Sequence, residues 1–335
     1  MGTEMNLMRA AVFEDIKRIV YRKDYPKPAI GPDDVLVKVY YCGICGSDVT
    51  NFTQGLYKIP LIMGHELVGE IEELGEKVAG FEVGDKVLGI NVQLEVFNQN
   101  FQGLGIFMDG GFAEYVRVPK EFLFHAPKNT PLEECVLVES YAIGIRAMKL
   151  SKIGANQHVI IIGGGNMGLT TLSVLLRKKK PKIVTVIEPQ EFLRKKAKEL
   201  GASEALPPNK NLIRKYIEKV GPPNYIFECV GSEKTFKLAL DLIKRGGTIT
   251  IEGIFRGQVS FPLLLLSSKE ICLQGLLGHN RNDIHRAIEL VEQKEVQPRQ
   301  LISEVLPLNE IQKAFEQFLN PDKREFIKII IEIQD

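Results

Sequence analysis

The 335 residues contain no apolar run approaching the eighteen or so that a membrane-spanning helix needs; the longest candidate, FPLLLL at 261–266, is too short. An excess of charge is missing too. Lys and Arg number 43 against 42 Asp and Glu, a net charge of +1, so nothing calls for nucleic acid or another polyanion as partner. The most basic run, RKKKPK at 177–182, lies between apolar LTTLSVLL and strand-like IVTVIE, and reads as a solvated helix end. Cysteine is scarce and odd in number: Cys42, Cys45, Cys135, Cys229 and Cys272. The start, MGTEMNL, lacks a positively charged segment leading into an apolar secretory core. The expectation is a reducing cytoplasm, with the cysteines free or metal-bound. Marks of disorder, collagen or coiled coil are absent as well, since 44% apolar and 25% charged residues is an ordinary soluble composition.

The length exceeds what one core normally serves, so two domains are expected. Their rhythms differ. From Met8 to about Lys128, runs such as RAAVFE, DVLVKVYYCGI, HELVGEIEELG, DKVLGIN and FAEYVRVP are rich in Val, Ile and Tyr and are broken by IGPDD and FEVGD, the pattern of an antiparallel, partly open barrel. Beyond Gly154, apolar runs of strand length (HVIIIG, IVTVIE, NYIFECV, TITIEGI, ICLQGLL) alternate with helical spacing in NMGLTTLSVLLRKK, EFLRKKAKELG and EKTFKLALDLIKRG. Near-continuous apolar strands between helices imply a parallel sheet covered on both faces. The fold class is therefore α/β: a doubly wound, Rossmann-type domain plus a mostly β domain. After Gly278 a helix-like DIHRAIELVEQ, a strand-like ISEVLPL, a helix in NEIQKAFEQFL and a final strand in FIKIIIEI follow, and periodicity alone attaches them to neither domain.

HVIIIGGGNMGLTTL sets Gly163, Gly165 and Gly168 in G-x-G-x-x-G spacing, with Asn166 and Met167 inside the turn, after a strand and at the start of a helix. The glycines serve a tight turn, backbone approach to a pyrophosphate and close helix–strand packing. A glycine turn without ligand is the bland alternative. Against it, the next strand ends in Glu188, twenty-five residues after Gly163, where a carboxylate accepts from the adenosine ribose hydroxyls and repels a 2'-phosphate. NAD is favoured over NADP, with Arg194 and Lys195 near enough to blur the preference.

CGICGSDVT at 42–50 is followed, twenty positions after Cys45, by His65 in MGHELVG. Two cysteines three apart suggest half of a thiolate metal knuckle or a redox pair. Zinc takes thiolate, imidazole and carboxylate, which makes Cys45, His65 and Glu66 the first candidates. Read singly, Cys45 is equally a small buried hydrophobe and His65 a satisfied structural histidine. Their combination with a dinucleotide turn favours the metal.

The order CGICGSD, GHE, VES, GGGNMG resembles the zinc-dependent medium-chain alcohol and polyol dehydrogenases over nearly the whole chain. The resemblance implies a GroES-like catalytic zinc-binding domain over 1–142 and 279–335 and a dinucleotide-binding Rossmann domain over 143–278. It implies that Cys45 and His65 ligate a catalytic zinc, that Glu66 is a ligand or an exchanging neighbour, and that Cys42 is structural. Glu139, in LVESYAIGIRAM, matches a glutamate at or just beyond the metal in sorbitol-type members and points to the polyol branch. Ser47 matches the proton-accepting hydroxyl and Asp48 the carboxylate that orients the ligand histidine. The implied reaction passes a hydride from a secondary alcohol of a polyol, cyclitol or sugar derivative to NAD by way of a zinc-bound alkoxide, because zinc lowers a hydroxyl pKa from about 16 toward 7. A threonine- or simple-alcohol dehydrogenase of the same fold, or a non-catalytic NAD(H)-binding protein, are the alternatives. The partners implied are a small alcohol and a second copy of the chain, as homodimer or homotetramer.

The chain also departs from the family pattern. Thr50 stands where most relatives have a relay histidine, and Ser140 where polyol-type relatives usually have proline. The stretch NVQLEVFNQNFQGLGIFMDGG lacks the four cysteines of a structural zinc lobe, so one zinc per chain is expected. Phe97, Phe101, Leu104, Ile106 and Phe107 are left to fold that lobe by packing or to line a subunit contact. ICLQGLLGHNRND resembles the strand that pairs across a dimer axis, and His279 and Arg281 beyond it either contact a polar substrate or begin the next helix.

Overall fold

Valine alternation makes the first part of the chain extended: Val35, Val37 and Val39 are fully buried, while Lys38 and Tyr40 between and beside them keep partial exposure. The computed structural model describes residues 6–57, 59–91, 103–255, 257–320 and 324–334. In chain order it runs β1 (Leu7–Asp15), β2 (Arg18–Pro26), β3 (Asp34–Gly43), α1 (Gly46–Gln54), β4 (Leu61–Ile62), β5 (Glu66–Leu74), β6 (Lys86–Ile90), β7 (Tyr115–Pro119), β8 (Leu123–His125) and α2 (Leu132–Cys135). Then come α3 (Val138–Leu150), β9 (His158–Ile162), α4 (Asn166–Lys178), β10 (Ile183–Ile187), α5 (Glu191–Glu199), β11 (Glu204–Leu206), α6 (Lys210–Val220), β12 (Tyr225–Glu228), α7 (Glu233–Leu242), β13 (Thr248–Ile251), α8 (Leu263–Lys269) and β14 (Cys272–Gly275). The chain closes with α9 (Arg281–Glu292), β15 (Ile302–Pro307), α10 (Ile311–Gln317) and β16 (Lys328–Glu332).

Two compact units result, residues 1–139 with 288–335, and residues 140–287. In the first, a sheet ordered β15-β16-β3-β5-β6-β8, with β7 also on β3, stands beside a smaller β2-β1-β4 sheet. Among the described residues its strands pair antiparallel except β15 with β16. The tail joins this unit only from Ile288 on, residues 279–287 staying with the second; β16 zips onto β3, Ile330 opposite Gly43 and Ile331 opposite Cys42.

The second unit is one parallel sheet in the order β11-β10-β9-β12-β13-β14. The order reverses between β9 and β12, which is where open α/β sheets bind ligands beyond their strand ends. Ile160, Ile162, Ile226 and Ile249 form one face, covered by Ile213 of α6 and by Phe236, Ala239 and Leu240 of α7.

Two short elements were not foreseen. Glycine-rich CGICGSD hides the start of α1, a helix that ends at Gly55 with φ 61°. FPLLLL forms most of α8, whose Leu263 and Leu264 are 71% and 77% exposed. RKKKPK lies at the exposed end of α4. No described helix is long and apolar enough to cross a membrane.

Candidate active site

Cys45 caps α1. Its N–H donates to Asp48 Oδ2 at 2.9 Å, so the cysteine and the acid three residues on are locked by the same turn. Asp48 is fully buried, and its other oxygen, Oδ1, lies 3.4 Å from His65 Nδ1. On the far side of the imidazole, Nε2 is 3.4 Å from Ser47 Oγ, and Cys45 lies against the ring. Burial works against charge on His65, but Asp48 and Cys45 outweigh it and hold its pKa well above the usual range. Cys45, Ser47, Asp48 and His65 therefore form one constellation. Cys42, three residues earlier, is completely buried in the core, and burial pushes its thiol far up.

Glu66 opens β5, and its Oε2 is paired with Lys328 Nζ of β16; both side chains are almost fully buried. The pairing depends on Gly43 of β3. A Cβ there would lie 2.6 Å from Glu66 Oε2 and 2.7 Å from Lys328 Cε, so only glycine leaves room for the pair. Burial pushes the Glu66 carboxyl up to about 7 against the pull of Lys328, and Glu139, in the first turn of α3, adds to the rise. Burial alone lowers a lysine; Glu66, then Cys45 and Glu139, keep Lys328 above its ordinary value. Lys328 and Gly43 were missed in the sequence. The only signal for Lys328 was a lone cation in the otherwise apolar strand FIKIIIEI.

Among the described residues no three His, Cys, Asp or Glu side chains stand in a ready metal-binding group, Glu66 being drawn onto Lys328. The donor chemistry nevertheless fits zinc: a half-buried thiol, an imidazole held at Nδ1 by a carboxylate, and two buried carboxyls that act on each other.

In the second unit the glycine turn follows β9. Gly163 has φ +103°, and a Cβ on Gly168 would sit 1.9 Å from Gly163 O, so helix and turn touch backbone to backbone. Gly165 caps α4, and Met167 lies in its first turn. Asn166 Nδ2 donates to Ser140 Oγ at 2.8 Å, which gives the serine in the VES stretch a structural partner. Glu188, just past β10, accepts from Gly164 N–H at 2.7 Å and Gln190 N–H at 2.9 Å. Arg194 is turned to the backbone, donating to Glu188 O and Pro189 O.

Thr50 Oγ1 donates to Gly46 O at 2.9 Å, a bond within its own helix turn. In the lobe, Leu104 is buried and Ile106 partly so, while Phe107 is 51% exposed; Phe97 and Phe101 lie outside the described residues. Asn91, not singled out in the sequence, holds Leu104 through both its N–H and its carbonyl. His279 is buried, and Arg281 is the first residue of α9.

The family description "Alcohol dehydrogenase GroES-like domain" matches residues 31–128, and "Zinc-binding dehydrogenase" matches residues 167–293. Sorbitol dehydrogenase of Halalkalibacterium halodurans is 29% identical over 312 residues, 88% of this chain and 90% of that protein. A protein of Sinorhizobium meliloti 1021 described as a zinc-binding dehydrogenase and solved with NADP superposes with a TM-score of 0.88 at 28% identity, covering 98% of this chain and 99% of that one. The structure of 2R,3R-butanediol dehydrogenase from Bacillus subtilis gives 0.87 at 25% identity, covering 97% and 99%. With both matched domains, relatives of equal length and the fold they share, the chain belongs to the zinc-binding medium-chain alcohol and polyol dehydrogenases, enzymes built on a nicotinamide cofactor.

Proposed function

We propose that the protein oxidises a secondary alcohol of a polyol, cyclitol or sugar derivative, with NAD as hydride acceptor and one zinc ion per chain. The observation that carries this reading is the Ser47–His65–Asp48 arrangement beside Cys45. Cys45, His65 and Glu139 would hold the metal, with Glu66 as the exchanging neighbour because Lys328 occupies one of its oxygens. Zinc in that place supplies Lewis acidity toward a substrate hydroxyl. Asp48 takes the Nδ1 side of His65, which leaves Nε2 for the metal and fixes the ring. Ser47 Oγ, half-buried beside Nε2, is placed to receive the hydroxyl proton and pass it to water. Thr50 does not extend the path, since its hydroxyl serves Gly46 O and a threonine is no base near neutral pH.

Preference for NAD rests on Glu188, whose carboxylate sits against the glycine turn, and on Arg194 being held by backbone carbonyls. A polyol-type substrate is suggested by Glu139 and by the sorbitol dehydrogenase relative. A single zinc is suggested by the absence of cysteine from 91–111. A homodimer or homotetramer is suggested by edge strand β14 with exposed Leu277 after it, and a reducing, cytoplasmic setting by five free cysteines.

Cys45→Ser tests the centre of this reading. Zinc content should fall from about one per chain to near zero and NADH formation from polyols by at least about a thousandfold, while dinucleotide binding persists. Unchanged turnover in the variant would overturn the assignment, and a kcat/KM with NADP above that with NAD would reverse the cofactor preference.

A further inference from the structure

Glu252 is a buried acid at the edge of the cofactor sheet. It directly follows β13, and its N–H donates to Glu228 O of β12 at 2.9 Å, as Cys229 N–H donates to Ile162 O of β9 at 2.9 Å. Gly163, Cys229 and Glu252 thus form one row along the carboxyl ends of β9, β12 and β13, across the point where the strand order reverses. The row is tight: a Cβ on Gly163 would meet Val230 Cγ2 at 2.7 Å.

From this row the Glu252 side chain reaches α4. Its Oε2 accepts from Thr171 Oγ1 at 2.9 Å and from Cys229 Sγ at 3.4 Å. Oε1 is buried and has no hydrogen-bond partner among the described residues, and neither has the hydroxyl of Thr250, two residues back on the same face of β13. A buried acceptor left without a partner is unfavourable and needs a reason. The titratable groups that act on this carboxyl are Glu228 of β12 and Cys229 just after it; α4 contributes the Thr171 hydroxyl, and among the described residues no cation acts on it. Burial pushes Glu252 up to about 7, the two hydrogen bonds restrain the rise and Glu228 adds to it.

A Rossmann sheet holds the two mononucleotides on either side of its switch point. Glu188, after β10, takes the adenosine side, which leaves the β12–β13 edge for the nicotinamide. That ring is cationic when oxidised and neutral when reduced. We infer that Glu252 senses the redox state of the cofactor: its carboxyl releases a proton to solvent when the cationic ring binds over this edge and keeps it under the reduced ring. Oxidised cofactor therefore binds increasingly better than reduced cofactor as pH rises. This rests on the cofactor reading above, and no bond to the cofactor forms or breaks.

The test uses the zinc-loaded protein with NAD, NADH and the NADP pair, each titrated between about pH 6 and about pH 8. The ratio of the Kd for reduced to that for oxidised cofactor should rise several-fold more in the wild type than in Glu252→Gln, toward a limit of about tenfold for each pKa unit by which the ring lowers the carboxyl. Infrared difference spectra of the wild type give a second readout that needs no variant. The protonated-carboxyl band should be lost on binding oxidised but not reduced cofactor, and the lost band should be missing from Glu252→Gln. Equal pH dependence in the two proteins, or no carboxyl band in the difference spectra, overturns the inference and leaves the cofactor reading standing. If no dinucleotide binds in either redox state, both fall together.

Discussion

Glu66 and Glu252 are buried acids in different units, each pushed up to about 7 by burial, yet their surroundings have opposite character. Glu66 meets an equally buried lysine, with a second carboxyl, a thiol and an imidazole nearby. Glu252 meets a hydroxyl and a thiol and no cation. A buried carboxyl escapes the penalty of charge either by acquiring a partner charge or by keeping its proton. In the first unit Glu66 does both, pairing with Lys328 while burial still pushes its carboxyl up to about 7, among the donors that a metal requires. The second takes the latter, and so keeps a proton in reserve beside a sheet edge where a cationic ring is expected.

Replacing Lys328 breaks this comparison most severely. Lys328→Met leaves Glu66 buried beside Glu139 without its cation, and urea unfolding should show a loss of about 3–5 kcal/mol. The double change Lys328→Met with Glu66→Gln should recover most of that loss, because no unpaired charge remains. A single variant within about 1 kcal/mol of wild type would mean that the pair does not hold the site together.

Glu252→Gln has its effect through pH. The folded carboxyl keeps its proton to about 7, whereas an ordinary glutamate releases it near 4.5. Wild-type stability is therefore fullest below that lower value and is lost as pH rises through the window up to about 7. The glutamine variant lacks this titration, so relative to wild type it should gain about 3 kcal/mol between acid and mildly alkaline solution, read from denaturation midpoints. A constant difference between the two proteins across pH would show that Glu252 does not hold its proton.

Thr171→Val gives the smallest change. One hydrogen bond to the carboxyl is lost, for about 1 kcal/mol, and the pH at which stability stops falling should move upward, because that bond favours the ionised form. No upward movement would indicate that the hydroxyl contributes only packing.

What was legible in the sequence was local. Gly163, Gly165 and Gly168 fall within six residues and Glu188 at the end of the very next strand, so spacing alone announced the turn and its acid. Cys45, Ser47 and Asp48 occupy one helical turn, and the glycine-flanked His65 was visible by its setting even though α1 itself was not. Lys328 was read merely as part of a strand, because its partner lies 262 residues away and meets it only through the β16–β3–β5 pairing. Glu252 was hidden in the same way: TITIEGI has the rhythm of a strand, and nothing in it says that its acid turns toward Thr171, 81 residues earlier.

By itself the sequence determined the two rhythms, the glycine turn and the types of donor available, because periodicity, backbone freedom and ligand chemistry are properties of neighbouring residues. The tertiary structure alone decided which buried acid received a cation and which met only a hydroxyl and a thiol, and that only glycine fits at position 43. Those outcomes depend on desolvation and on distances across the sheet, which exist only after distant segments have packed.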